Sequence, residues 1–281
     1  MLRRALGNTG EQLSLVGLGG IVVAHLPQAE ADHIVAEAVD GGVCYFDVAP
    51  TYGDAQDRLG PALAPYRGEV FLACKTAERT AEAAARELDT SLQVLRTDHV
   101  DVYQLHGLSS LEDVETVFGP GGAMETFVRA KQDGKARFLG FSAHSHEAAL
   151  EALRRYPFDS ALFPVNFACW MKGRYGPQIL DAATQAGAGR LALKAMARTF
   201  WPSEGARRYR KTWYEPLDDD ELAGLALRWA LSQDITAAIP PGEPALFRKA
   251  LAIASHFRPI EPEETARLQA LAAELTPIFP Q

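Results

Sequence analysis

The stretch Val43-Cys44-Tyr45-Phe46-Asp47-Val48-Ala49-Pro50-Thr51-Tyr52-Gly53-Asp54 begins as an apolar run and ends in polar groups that a core has no use for. A short apolar run followed by Pro and Gly reads as a strand buried on both faces. Asp47 closes the run and Tyr52 lies in the turn beyond it. Both therefore belong to the carboxyl end of a strand, where α/β folds build their sites.

Two later stretches repeat that setting. Val70-Phe71-Leu72-Ala73-Cys74 leads into Lys75, and Val100-Asp101-Val102-Tyr103-Gln104-Leu105 leads into His106. If these strands are parallel neighbours, Asp47, Tyr52, Lys75 and His106 converge at one rim. A phenol beside an ammonium and an imidazole suits proton donation, because positive charge stabilises phenolate and lowers a pKa that is ordinarily about 10. Asp47 would hold the ammonium in place and limit its desolvation cost.

Outward from these strands the chain alternates strand and helix. Residues 2–5 and 12–15, separated by Gly7-Asn8-Thr9-Gly10, predict a short hairpin. Leu15-Val16-Gly17-Leu18-Gly19-Gly20 predicts the first strand of the main sheet. Its glycines lack the G-x-G-x-x-G spacing and read either as close backbone approach to a ligand or as a tight turn. Further strands are expected at residues 136–141, 160–165, 191–196 and 235–239. Helical periodicity marks residues 29–39, 54–63, 80–95, 121–132, 146–156, 177–186, 217–231 and 244–255, with an additional helix at 263–275. Residues 116–122 read as a turn-rich segment and 197–216 as a long polar and aromatic loop.

Eight buried strands, each followed by a helical segment, in a chain of 281 residues predict an α/β fold, a (β/α)8 TIM barrel with an N-terminal β-hairpin. No linker interrupts the pattern, so residues 1–281 are expected to form one domain. A doubly wound open sheet is the alternative, because periodicity does not show closure.

Composition narrows the function. A formal charge of −8 without a basic block argues against nucleic acid as a partner. Cys44, Cys74 and Cys169 are scattered, which gives neither a disulfide framework nor a thiolate metal site. With no signal-like amino terminus and no apolar span, the expected compartment is the cytoplasm, away from membranes.

Over nearly its whole length the chain resembles the aldo-keto reductase family. The resemblance rests on the opening hairpin and glycine-rich first strand, Phe46-Asp47 followed by Tyr52-Gly53, the strand ending in Lys75, and Gln104-Leu105-His106. It implies reversible hydride transfer between NADPH, with NADH as the alternative, and the carbonyl carbon of a small aldehyde or ketone, without a metal. In that reading Tyr52 donates the proton, His106 orients the carbonyl, Lys75 lowers the tyrosine pKa and Asp47 pairs with Lys75.

The resemblance also assigns cofactor contacts, with departures from the family pattern. Ser142, in Gly140-Phe141-Ser142-Ala143-His144, matches the segment that meets the nicotinamide carboxamide. The usual asparagine is replaced there by Ala143, and His144 follows, as a cofactor contact, a helix cap or a pocket residue. Asn166 stands near the family's amide contact, its other reading being a backbone-bonding residue at a strand end. Lys194, in Leu193-Lys194-Ala195-Met196, is expected either at a phosphate or ribose or in a pair with an acid at the rim. Gly242 offers backbone groups to phosphate, and Arg248 or Lys249 replaces the usual phosphate-binding arginine, although Glu243 is unfavourable beside a 2′-phosphate. Trp170, Trp201 and Trp213 are candidates for the substrate pocket. Arg207, Arg208, Arg210 and Lys211 read as a solvated face or as an anion contact. Two other classes stay open: a cofactor-binding regulatory protein with little turnover, and a non-redox barrel lyase or isomerase.

Overall fold

A computed structural model describes residues 1–279. At the amino end β1 (Arg3–Ala5) pairs antiparallel with β2 (Gln12–Ser14). Leu6 and Leu13 of this hairpin are buried in one cluster with Tyr45, Phe71, Ala73, Val102, Leu162, Leu191 and Ala237. The hairpin is therefore a plug that seals the barrel floor.

The main sheet runs in the order β3 (Leu18–Gly19), β4 (Tyr45–Val48), β5 (Phe71–Thr76), β6 (Val100–Leu108), β7 (Ala136–Ala143), β8 (Ser160–Pro164), β9 (Gly189–Leu193) and finally a short strand at Ala237–Ala238. Neighbours are parallel throughout. The two ends of this sheet meet: Val16 bridges Ala238 in parallel, Gly17 N donates to Ala238 O at 3.0 Å, and Ala238 N donates to Leu15 O at 2.9 Å. That seam makes the sheet a closed (β/α)8 barrel and removes the open-sheet alternative.

Strand parity sorts the side chains, since successive residues point to opposite faces. Phe46, Val48, Leu72, Cys74, Tyr103 and Leu105 belong to the larger core cluster, together with the apolar stripes of the helices. Tyr45, Phe71, Ala73 and Val102 have the opposite parity and fill the barrel. Continuing that inner row upward brings Asp47, Lys75, Gln104 and His106 to the carboxyl-end mouth.

The helices are α1 (Gln28–Asp40), α2 (Ala55–Leu63), α3 (Ala81–Val94), α4 (Leu111–Phe118), α5 (Ala123–Gln132), α6 (His146–Arg155), α7 (Phe167–Met171), α8 (Pro177–Gln185), α9 (Asp220–Leu231), α10 (Pro244–Ser255) and α11 (Pro262–Glu274). No helix among the described residues is long and apolar enough to cross a membrane. Several segments differ from the sequence expectation, among them α7, which is not among the expected helices. Residues 116–122 are not simply a turn, because α4 runs into them from Ser110, whose side chain accepts from Asp113 N and caps the helix. The expected loop 197–216 contains a second hairpin, β10 (Ala197–Phe200) paired antiparallel with β11 (Tyr214–Pro216); the strand at Ala237–Ala238 is thus β12. The two strands are only four and three residues long and buried mainly at Ala197, Tyr214 and Pro216, too short a run for periodicity to reveal the pairing.

Candidate active site

The turn after β4 aims Tyr52. Tyr52 N donates to Ala49 O at 3.1 Å, and Gly53 has φ 63° where a Cβ would meet the His25 ring at 2.8 Å. Only glycine meets both demands without strain. Asp54 accepts from His25 N at 2.6 Å and pins the loop after β3 to this turn.

Lys75 is buried and pairs with Asp47 Oδ1, while Tyr45 Oη donates to Asp47 Oδ2 at 3.1 Å. Burial alone pushes the Lys75 ammonium down, but Asp47 and Tyr52 outweigh it and hold the pKa above the ordinary value. Lys75 Nζ lies 5.3 Å from the centroid of the Tyr52 ring, and the His106 ring meets that ring edge-on at 5.7 Å. The four rim residues expected from sequence are thus gathered at one mouth.

Burial, aided by Asp47, raises the Tyr52 pKa, whereas Lys75 pulls it down. The net direction is opposite to the sequence expectation, because desolvation of a phenolate costs more than the lysine, already neutralised by Asp47, returns. In this state Tyr52 is a protonated phenol held beside a cation.

His106 owes its position to a bulge. The β6–β7 register shifts between Leu105 and Leu108, Gly107 takes φ 66°, and Gly107 N donates to Ser142 Oγ at 2.7 Å. Arg79 donates to His106 O at 3.0 Å. Burial, then the nearby cations Lys75, Arg79 and Lys194 with His144, depress the His106 pKa to about 3, so the imidazole is neutral at physiological pH. Its Nδ1 contacts Thr51 Oγ1 at 3.3 Å, which leaves Nε2 for a ligand. Gln104, the register partner of Lys75, is fully buried, and its amide has no protein partner among the described residues.

The remaining expectations divide. Ser142, His144, Lys194, Trp213 and Gly242 line the same cleft of about 200 Å³, with Lys211, Thr212, Tyr214, Ile21 and Ile239. Asn166 does not. It is 1% exposed; its Oδ1 accepts from Ala168 N and Cys169 N, capping α7, and its Nδ2 donates to Lys194 O and Ala197 O. Arg248 and Lys249 also lie outside the lining. Arg248 Nε reaches both oxygens of Glu37 at 2.9 and 3.0 Å, and Lys249 is held by Asp218 O and Asp220. Trp170 packs edge-on against Trp229 at 5.6 Å, and Trp201 donates to Thr212 O at 3.0 Å, so neither belongs to the pocket wall. Among the described residues Lys194 makes no pair with an acid; its Nζ stands over the Tyr214 and Trp213 rings at 4.9 and 5.3 Å. Among the first-strand glycines, a Cβ on Gly17 would meet Tyr45 at 2.5 Å and one on Gly20 would meet Val48 at 2.7 Å, so these two serve strand packing.

Sequence reasoning missed Phe279 and Thr51, and read Lys211 only within a cluster that was either a solvated face or an anion contact. The segment joining β10 to β11 crosses the mouth: Lys211 N donates to Glu243 Oε1 at 2.9 Å and Lys211 Nζ to Val22 O at 2.8 Å. Of the basic cluster only Lys211 enters the cleft; Arg207 pairs with Glu204 and Arg208 with Asp218. Phe279 packs on His144 at 5.3 Å, Tyr175 at 5.5 Å and Trp213 at 5.9 Å, so the carboxyl-terminal segment backs the pocket wall. Thr51 was legible only as a turn residue.

Comparison with known proteins bears on the fold and on the family. L-galactose dehydrogenase of Arabidopsis thaliana is 32% identical over 171 residues, 55% of this chain and 52% of that protein, so the chain spans about half the length of this relative. The uncharacterized oxidoreductase YqkF of Bacillus subtilis strain 168 is 24% identical over 278 residues, 86% of this chain and 87% of that one. The holo form of aldo-keto reductase AKR11C1 from Bacillus halodurans shares the fold with a TM-score of 0.76 at 23% identity, covering 100% of both chains. The sequence pattern described as "Aldo/keto reductase family" matches residues 15–273, from the strand after the hairpin through α11. All four rim residues lie inside that match, and the chain belongs to the aldo/keto reductase family.

Proposed function

We propose that this protein is an NAD(P)H-dependent oxidoreductase that reduces an aldehyde or ketone to an alcohol, with Tyr52 as proton donor. The observation that carries the proposal is the placement of the Tyr52 phenol against Lys75 and His106 in a cleft.

The cleft suits a dinucleotide. Gly242 lines it where a Cβ would meet Ile21 at 2.3 Å, and the amino end of α10 follows without a side-chain cap, leaving backbone N–H groups for an anion. Ser142, His144 and Lys194 line the cleft beside the rim residues. When bound, reduced nicotinamide supplies the hydride to the carbonyl carbon.

The chain's own residues then handle the proton. As charge develops on the carbonyl oxygen, Tyr52 gives up its phenolic proton and the product leaves as an alcohol. Lys75 stabilises the phenolate that remains, so its effect is larger after transfer than before it. Asp47 keeps Lys75 charged and fixed, and Tyr45 fixes Asp47. Neutral His106 offers Nε2 to the carbonyl oxygen and sets its direction toward Tyr52.

NADPH is the cofactor we assign from the family, and one observation favours NADH as the second reading. Arg248 and Lys249 are engaged elsewhere, Glu243 stands at the amino end of α10, and Lys211 already donates to Val22. The three cysteines are free and buried, which suits a reducing cytoplasm.

Titration with NADPH and NADH, followed by an aldehyde and ketone panel read through cofactor oxidation, tests the proposal. Tyr52→Phe is expected to lower kcat by about 10²–10⁴-fold while cofactor binding persists. An unchanged reduction rate in that variant overturns the proton-donor role.

A further inference from the structure

The scheme above leaves one cation at the mouth without a task. Lys194 follows β9 in a left-handed backbone conformation, φ 64°, and its carbonyl accepts from Asn166 Nδ2 at 3.0 Å and from Ala197 N at 2.9 Å. The main chain is thus held in a conformation rare for a side chain of this length, and the ammonium is delivered into the cleft.

The other lysines lining the cleft are satisfied: Lys75 by Asp47 and Lys211 by Val22 O. Among the described residues Lys194 Nζ has neither a carboxylate nor a carbonyl, only the faces of Tyr214 at 4.9 Å and Trp213 at 5.3 Å. Ring faces attract a cation but replace little of its lost hydration. Burial, with Lys75 adding repulsion, accordingly lowers the Lys194 pKa to about 8. A partly desolvated ammonium kept in place without a counter-ion is poised for an arriving anion.

The position of Lys194 says which anion. Its charge is felt by His106, His144 and Lys75, the groups at the reacting end of the cleft. Gly242 also lines the cleft, and beyond it Glu243 leads into the amino end of α10, whose first backbone N–H groups have no side-chain cap and suit a phosphate. Trp213 and Phe279 supply an apolar wall beside His144.

We propose that Lys194 is a specificity-determining residue that receives the carboxylate of an oxo-acid substrate whose carbonyl lies between Tyr52 and His106. The proposal rests on the reductase reading given above. The substrate class is an aldehyde or ketone that carries a second, anionic end, with Trp213 and Tyr214 flanking the ion pair. His144, neutral beside Lys194, can donate a further hydrogen bond to the same carboxylate.

Matched substrates test it. With cofactor supplied, 4-carboxybenzaldehyde, its neutral methyl ester and 4-formylphenyl phosphate are compared by kcat/KM in the wild type, Lys194→Met, Lys194→Gln and Lys194→Arg. The wild type is expected to prefer the acid over the ester by about tenfold or more, a preference lost in Met and Gln and kept in Arg. An equal rate for acid and ester in the wild type, or a preference that survives both Met and Gln, overturns the proposal. A preference for the phosphate over the acid also overturns the carboxylate assignment.

A binding readout separates this proposal from the reductase reading. Succinate, which is transparent to tryptophan excitation, is titrated against intrinsic fluorescence, with Trp213→Phe identifying the responding ring. Saturable change in the wild type that disappears in Lys194→Met supports the carboxylate site even if no aldehyde turns over. Absence of that change, or a Lys194→Met variant that weakens NADPH binding tenfold while leaving the acid-to-ester ratio intact, places Lys194 on the cofactor and overturns the proposal.

Discussion

The side-chain amide of Asn166 donates to the carbonyl of Lys194 at 3.0 Å and to that of Ala197 at 2.7 Å, while its oxygen caps α7. One buried amide therefore joins the end of β8 to the turn after β9. Asn166→Ala removes a helix cap and leaves buried carbonyls short of a donor, and is expected to cost about 2–4 kcal/mol. Equilibrium urea denaturation measures it; a loss below about 0.5 kcal/mol would show that the clamp is idle.

Lys194 should oppose stability. Its pKa is about 8 in the folded protein against an ordinary 10.5, so the unfolded chain holds the proton more tightly. The penalty is full below pH 8 and fades as pH rises toward 10.5. Lys194→Met is expected to be more stable than wild type by about 1–3 kcal/mol at pH 7, with the gain shrinking above pH 8. Denaturation midpoints at pH 7 and pH 10 give the comparison.

Asp47→Asn strips the counter-ion from a lysine that is 1% exposed. Breaking one side of a buried pair leaves an uncompensated charge, so a loss of about 3–5 kcal/mol is expected. Adding Lys75→Met to that variant should restore part of the stability, because no buried charge then remains. A double variant less stable than Asp47→Asn alone contradicts this account.

Acid should unfold the protein partly through the mouth imidazoles. His106 titrates at about 3 in the folded state and His144 at about 4, against an ordinary 6.5. The unfolded chain takes up those protons first, so stability is full above pH 6.5 and falls as pH drops toward 3. His106→Gln is expected to recover about 1–3 kcal/mol of the loss between pH 6.5 and pH 4, with His144 keeping the rest. A stability curve of unchanged slope in that variant argues against a buried neutral imidazole.

The barrel and the convergence of the rim residues were legible because both follow from strand parity. Asp47, Lys75 and His106 end apolar runs, and two-residue alternation places them inside with Tyr45 and Ala73. What stayed hidden depends on partners far away in sequence. Arg248 and Lys249 look free on α10, yet Glu37 of α1 and Asp220 of α9 claim them. The sign of the Tyr52 shift needs the depth of burial, which a list of neighbouring charges does not contain. Asn166 at a strand end resembles a ligand contact, and only the fold reveals that its four hydrogen bonds are already spent. Lys211 belongs to a cluster that reads either as a solvated face or as an anion contact, and only the β10–β11 hairpin shows that it crosses the mouth.

The seam of the barrel has a consequence for how the mouth breathes. Eight strands form a ring, but the closure between Leu15–Gly17 and Ala238 consists of two backbone hydrogen bonds and one bridge, whereas β5, β6 and β7 share long ladders. Local opening takes the path that breaks fewest bonds, so amides of Gly17 and Ala238 should exchange with solvent sooner than those of Cys74 or Tyr103. Such an opening parts Ile21 from Gly242 on one flank of the cleft. Lys75 and His106 stay on the rigid arc, so one flank of the cleft can loosen while the rim residues keep their alignment.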